Sequence, residues 1–267
     1  MDNPFARPQS PSQYYTTGLS TSKILDLVEI ISPHLPKKTS WHGRRQALGP
    51  YKIVVVTLTY LRRNRVQDEI AETYGVSQPT ISRAISLVTT LIKELMIDWV
   101  PAADELDTRS THLIDGTLVP NWSWKTHPED YSGEHHTTGL NLQVACTMTG
   151  DLVWVSDPLP GKTHDSEALR QHGFLDKPAG AATDIADKGY QGLGMITPIK
   201  KLPGQEELDD SDREYNKQVN SLRAPVERCI ANLKTWRILH TDYRRPHHTH
   251  AETITAVIAL EFFKLSY

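Results

Sequence analysis

In His112-Leu113-Ile114-Asp115-Gly116-Thr117 an apolar pair runs directly into an acid and a glycine. That is the pattern of a short buried strand that delivers a carboxylate. Ile185-Ala186-Asp187-Lys188-Gly189-Tyr190, with Ala181-Ala182 upstream, repeats it, and Arg223-Ala224-Pro225-Val226-Glu227-Arg228 sets a third acid in a helical stretch. Carboxylates on strands and on a packed helix can converge. Asp and Glu oxygens suit Mg²⁺ or Mn²⁺, and Mg²⁺ takes only one or two carboxylates while keeping several waters. Two such ions about 4 Å apart are the apparatus of phosphodiester chemistry, one activating the attacking oxygen and the other neutralising the leaving one. Taken singly, each acid also fits a bland role. Asp115 and Asp187 could be turn residues before glycines, and Glu227 could be a surface ion pair with Arg223 or Arg228, worth about 0–1 kcal/mol.

The pattern around these acids is mixed. From about Ser110, apolar runs at 112–115, 140–148 and 152–159 read as strands, with turn residues at Asn121, Gly133 and Thr149-Gly150-Asp151, the last suggesting a hairpin. A helix is expected from Asp165, a further strand up to Asp187, and helices over 206–238 and 250–265. Asp165 reads first as the cap of its helix, with a supporting role beside bound metal, shared with His164, as the alternative.

Upstream the chain changes character. Net charge is only -3, yet no acid lies between Glu29 and Asp68, where Lys37, Lys38, Arg44, Arg45, Lys52, Arg62, Arg63 and Arg65 all fall. A stripe of one sign supplies salt-dependent affinity for a phosphate backbone even when the whole chain is slightly acidic. The run Tyr51–Leu61 predicts a supporting helix despite its β-branched residues. Gln67 to Ser86 then reads as a helix-turn-helix: Ala71 is small where helices cross, Gly75 permits a positive φ, Val76 and Ile81 pack, and Ser77 and Pro79 open the second helix. On that helix Gln78, Thr80, Ser82 and Arg83 are the candidates to face DNA.

Asp115-Gly116-Thr117, Pro160-Gly161-Lys162-Thr163-His164-Asp165, Ala186-Asp187-Lys188-Gly189-Tyr190 and the segment from Arg223 through Glu227 to Lys234 resemble, in the same order, the DDE transposases of the insertion-sequence-five family and the related Harbinger-type nucleases. The resemblance runs from about Lys37 to the C-terminus. It implies a ribonuclease-H-like α/β catalytic domain, a mixed sheet flanked by helices, preceded by a small all-α helix-turn-helix domain. The expected boundaries are 1–20 flexible, 21–95 DNA-binding and 108–267 catalytic. It implies Asp115, Asp187 and Glu227 as catalytic and metal-binding residues, with Mg²⁺ or Mn²⁺, two ions, as cofactor. Arg223 and Lys234 match the family's Arg and Lys positions around the Glu, and on a helix their spacings of four and seven residues share one face. With Lys188 they are expected to hold DNA phosphates. Asn220 departs from the family, many of whose members carry Tyr there. Forty residues separate Asp187 from Glu227, which leaves no room for a large inserted subdomain. The partners implied are double-stranded DNA, as element ends and target, and a second copy of the chain. A nuclease that cuts without joining, or a silent DNA-binding derivative, are the competing readings.

The remaining features are weaker. Cys146 and Cys229 lack metal-ligand spacing and read as buried thiols of a cytoplasmic, nucleoid-associated protein. No leader pattern opens the chain and no apolar run approaches a membrane span. His247, His248 and His250 read as a surface turn beside Pro246 rather than a transition-metal site. Trp122 and Trp124 fit strand-edge packing at least as well as stacking on a splayed base.

Overall fold

The computed structural model describes residues 13–36, 47–122, 125–176 and 181–266. Lys37, Lys38, Arg44, Arg45 and Trp124 lie outside them. Contacts divide the chain into two compact units, one ending at Leu91 and the other beginning at Ile92.

The first unit is helical. A short α1 (Tyr14–Thr17) leads into α2 (Thr21–Ile31), whose N-cap Ser20 accepts a hydrogen bond from the Lys23 amide. Within the first 20 residues, read from the sequence as flexible, those from Gln13 onward take defined structure. Thr17 and Leu19 are fully buried, α1 packs on the next helix, and the Tyr51 hydroxyl donates to Gln13 Oε1 at 3.1 Å. That helix, α3 (Pro50–Arg63), starts on a proline at its first turn and ends at Asn64 in the left-handed region. Val54 to Leu58, Tyr60 and Leu61 are buried, so burial on nearly every side overrides the weak helix propensity of three consecutive valines.

α4 (Gln67–Tyr74) and α5 (Gln78–Met96) form the helix-turn-helix. Gly75 takes φ 63°, and paired bonds from Gly75 N to Glu72 O and Val76 N to Ala71 O close the turn as a Schellman motif. Ile81, Ala84, Ile85, Val88 and Ile92 form the buried stripe of α5.

The second unit is a six-stranded mixed sheet with helices. Its strands are β1 (Leu113–Pro120), β2 (Tyr131–Ser132), β3 (Thr137–Cys146), β4 (Leu152–Val155), β5 (Leu159–Pro160) and β6 (Ile185–Ala186). Its helices are α6 (Asp165–Gln171), α7 (Asp210–Leu233) and α8 (His250–Leu265). The order is β2-β3-β1-β6, with β4 and β5 also pairing with β3. β1 runs antiparallel to β3 and parallel to β6. The expected hairpin forms, with Gly150 at φ 95° between β3 and β4, while the run 152–159 splits into two strands. Residues between the two expected domains belong to this unit: Trp99 stands edge-on to Phe263 at 5.2 Å and Leu106 enters the core.

α8 is apolar and buried almost all round. The one buried acid on it, Glu261, accepts from Trp236 Nε1 at 2.7 Å, which ties the end of the α7 segment to α8. Cys146 on β3 and Cys229 on α7 are both free, buried and within hydrogen-bonding reach of each other. His250 is not on the surface turn expected for it. It is buried at the start of α8, stacked on Tyr243 at 4.4 Å, and burial pushes it down to about 3.

Candidate active site

β1 is the element that gathers the site. At its start, Asp184 Oδ1 accepts from the His112 amide at 3.0 Å, both residues being buried, and this fixes β6 against β1. The parallel register then pairs Leu113 with Ile185 and Ile114 with Ala186. The residues that follow on the two strands are Asp115 and Asp187. Ile114 and Ala186 point into a core shared with Ala145, Leu169 and Tyr190. Alternation therefore turns both acids to the other face, where α7 packs on β1 and β6. There Arg223, buried on α7, sets Nη2 3.3 Å from Asp115 Oδ2.

Asp165 approaches from the opposite face. Its Oδ1 accepts from Asn141 Nδ2 at 2.7 Å and from Gln143 Nε2 at 2.9 Å, and Gln143 Oε1 in turn accepts from the buried Tyr190 hydroxyl at 2.6 Å. Gly116 makes room for this. A Cβ there would meet the Asp165 carboxyl at 2.4–2.5 Å. Because two amides hold that carboxyl, Gly116→Ala is expected to cost about 1–3 kcal/mol of stability, read by urea unfolding. An unchanged midpoint would mean that Asp165 swings away freely.

Burial pushes the Asp115 carboxyl up to about 6; Arg223 opposes this, and the nearby Asp187 and Asp165 charges add to it. The Asp187 carboxylate accepts from the Gly189 amide, which holds it at the head of the turn Lys188–Tyr190. Burial and the three acids also raise the Tyr190 hydroxyl well above its ordinary value, so it remains a donor.

The expected residues divide into those brought together and those left apart. Asp115, Asp187, Asp165 and Arg223 share one neighbourhood. Asp165 is a correction: His164 occupies the cap position of α6, exposed and with no side-chain cap bond, while Asp165 takes side-chain amides instead. Glu227 is exposed, one turn beyond Arg223. Among the described residues no group of three His, Cys, Asp or Glu side chains is arranged to hold a metal ion. Arg223 and Glu227 lie one turn apart on α7, and Lys234 follows at its end. Arg223 turns inward to Asp115, and Lys234 caps the end of α7 half-buried, its ammonium pushed down by desolvation. Lys188, Asp187, Asn220 and Arg223 line a cavity of about 560 Å³ to which Lys200 and Lys201 also contribute. On the helix-turn-helix, Gln78 donates to Gln67 Oε1 at 2.8 Å and so braces α5 against α4, whereas Arg83 is exposed.

Asn141, Gln143 and Gly116 were not singled out from the sequence as site residues. The signal for the first two was two polar residues, two apart, inside an otherwise apolar strand, which places both on one buried face.

Residues 114–261 match the family model described as DDE superfamily endonuclease, and residues 47–96 match the helix-turn-helix of DDE superfamily endonuclease. The chain belongs to this superfamily, and its helical region followed by a mixed-sheet α/β domain agrees with the ribonuclease-H-like architecture. Among its relatives is a Streptomyces albus G protein assigned as the transposase of insertion sequence element IS112, 29% identical over 74% of this chain and 73% of that one. A Microchaete diplosiphon protein assigned to element IS702 is 27% identical over 86% of each. A third, assigned as the nuclease HARBI1 of Xenopus laevis, is 21% identical over 82% of this chain and 67% of the relative. No solved structure matches the chain. No described helix is long and apolar enough to cross a membrane.

Proposed function

We propose that the chain is a DNA transposase of the insertion-sequence-five type, which binds the inverted repeats at an element's ends and cuts and joins DNA there. The observation that carries this reading is the parallel β1–β6 register, which sets Asp115 and Asp187 side by side beneath α7. Like charges crowded against a buried carboxylate, with all-oxygen donors, fit a hard divalent cation. Asp115, Asp187 and Glu227 would hold Mg²⁺ or Mn²⁺, two ions in all, with Asp165 supporting from beneath. Bound there, the metal would activate the attacking oxygen and neutralise the leaving one.

The chain's own groups do the rest. Arg223, Lys188, Lys200 and Lys201 line the cavity beside Asp187 and would grip the phosphates flanking the scissile bond. The Tyr190–Gln143–Asp165 chain keeps the floor of the site rigid. Arg83, with Thr80 and Ser82, would meet the duplex from α5, and two copies of the chain would hold the two ends. The protein would then act on DNA in the cytoplasm. Arg83→Ala is expected to weaken duplex binding about tenfold and to lower the slope of log affinity against log salt by about one; equal slopes would remove Arg83 from the interface.

The test is a labelled duplex carrying the element's own end, incubated with Mg²⁺ or Mn²⁺. Joined products support a transposase, nicks alone support the nuclease reading that the HARBI1 relative suggests, and binding without cleavage leaves a silent DNA-binding derivative.

A further inference from the structure

Where β1 ends, the chain builds a second concave site. Asn121 bridges to Tyr243, whose amide donates to Pro120 O at 3.2 Å. Beside this junction His127 and His247 stack face to face, with centroids 3.5 Å apart and planes 6° from parallel. Both rings are clamped from behind. His127 Nδ1 lies 3.1 Å from Glu129 Oε1, and His247 Nε2 lies 2.6 Å from Oδ2 of the buried Asp130, which Asn121 also binds. Trp122 stands 72% exposed on the rim. Together with Tyr243, Arg244 and Arg245 these rings line a cavity of about 420 Å³.

We infer that this cavity binds one unpaired nucleotide of a DNA strand. Flat ring faces select a planar aromatic guest, and two guanidiniums at the same mouth select an anion. A nucleotide carries both. A base inside a duplex has its faces covered by its neighbours, so a cavity for a single ring takes a base that has left the stack. Prior clamping of the histidine pair leaves little ordering to be done on binding. Asn121 lies six residues after Asp115 on the same extended stretch, about 20 Å away at about 3.3 Å per residue, so one strand can run from the acids to the cavity. The inference rests on the DNA reading above and adds a base-holding site to it.

The experiment measures anisotropy of the full chain with three fluorescent probes: single-stranded dT8, an eight-unit abasic strand with the same phosphates, and a blunt 12-base-pair duplex. The expected result is that dT8 binds at least about tenfold more tightly than the abasic strand, the order expected for one stacked base. Trp122→Ala removes this preference, Trp122→Phe keeps most of it, and duplex binding changes in neither. Free dTMP, offered at the same nucleotide concentration, leaves dT8 bound. Equal binding of dT8 and abasic strand, or a preference that survives Trp122→Ala, overturns the inference while retained duplex binding keeps the DNA reading. Displacement of dT8 by dTMP would assign the cavity to free nucleotides instead. Failure of all three probes to bind would remove the DNA reading and the cavity with it.

Discussion

Asp187→Ala is expected to lower metal-dependent DNA cleavage by about 10³-fold or more while duplex binding stays within about twofold of wild type. The size follows from the proposed role of Asp187 as a metal ligand at the reacting phosphate, since a single preorganised electrostatic group is worth about 10²–10³ in rate and a lost metal ligand removes the ion's contribution as well. Binding is spared because Arg83 and the other residues of α5 expected to face DNA lie in the first unit and Asp187 in the second. Asp187 is also a safe position to change, since it heads a surface turn rather than filling the core. Glu227→Gln is the informative companion. Glu227 is exposed in the structure, so a loss comparable to that of Asp187→Ala would place it among the metal ligands, whereas near-normal cleavage would exclude it and return attention to Asp165.

The second large effect is on stability. Asp115 has a folded value of about 6 against an ordinary carboxylate value of 3.8. A folded value raised above the unfolded one means that the folded chain binds the extra proton. The stability linked to that proton is fully present below about pH 4 and is lost as pH rises through about 6. The difference corresponds to about 3 kcal/mol. Wild type is therefore expected to lose about that much relative to Asp115→Asn between pH 4 and pH 7 in urea unfolding without metal. The comparison with the Asn variant cancels every other titrating group that the substitution leaves alone. A difference that does not change with pH would show that Asp115 titrates normally and that the acids do not crowd one another.

The settings of the three acids were legible because each is a local pattern that needs no tertiary information: an apolar pair opening the strand of Asp115, another before Asp187, and a helix around Glu227. The hairpin at Gly150 and the turn at Gly75 were legible for a similar reason, since both put glycine where φ is positive. What escaped depends on contacts between distant segments. Nothing near Arg223 announces that its guanidinium turns inward to a carboxylate 108 residues earlier in the chain (223 − 115). The capping preference of Asp at helix starts pointed Asp165 to its own helix, and two amides from β3 outbid the local bond. His250 looked like part of a polar run; only the packing of Tyr243 against it explains its burial. Tyr14 to Leu19 followed a Pro- and Ser-containing stretch, and composition alone missed the burial of Thr17 and Leu19 and the packing of α1 on α3.

Gly116 has a wider consequence. A β-sheet ordinarily insulates the groups on its two faces, because a layer of side chains separates them. At Gly116 that layer is missing on one side, and the Asp165 charge contributes to the proton affinity of Asp115 from behind the sheet. The proton affinity of Asp115, the acid proposed to work on DNA, can thus be retuned from a helix on the other side of the sheet, by changes that leave its own face untouched.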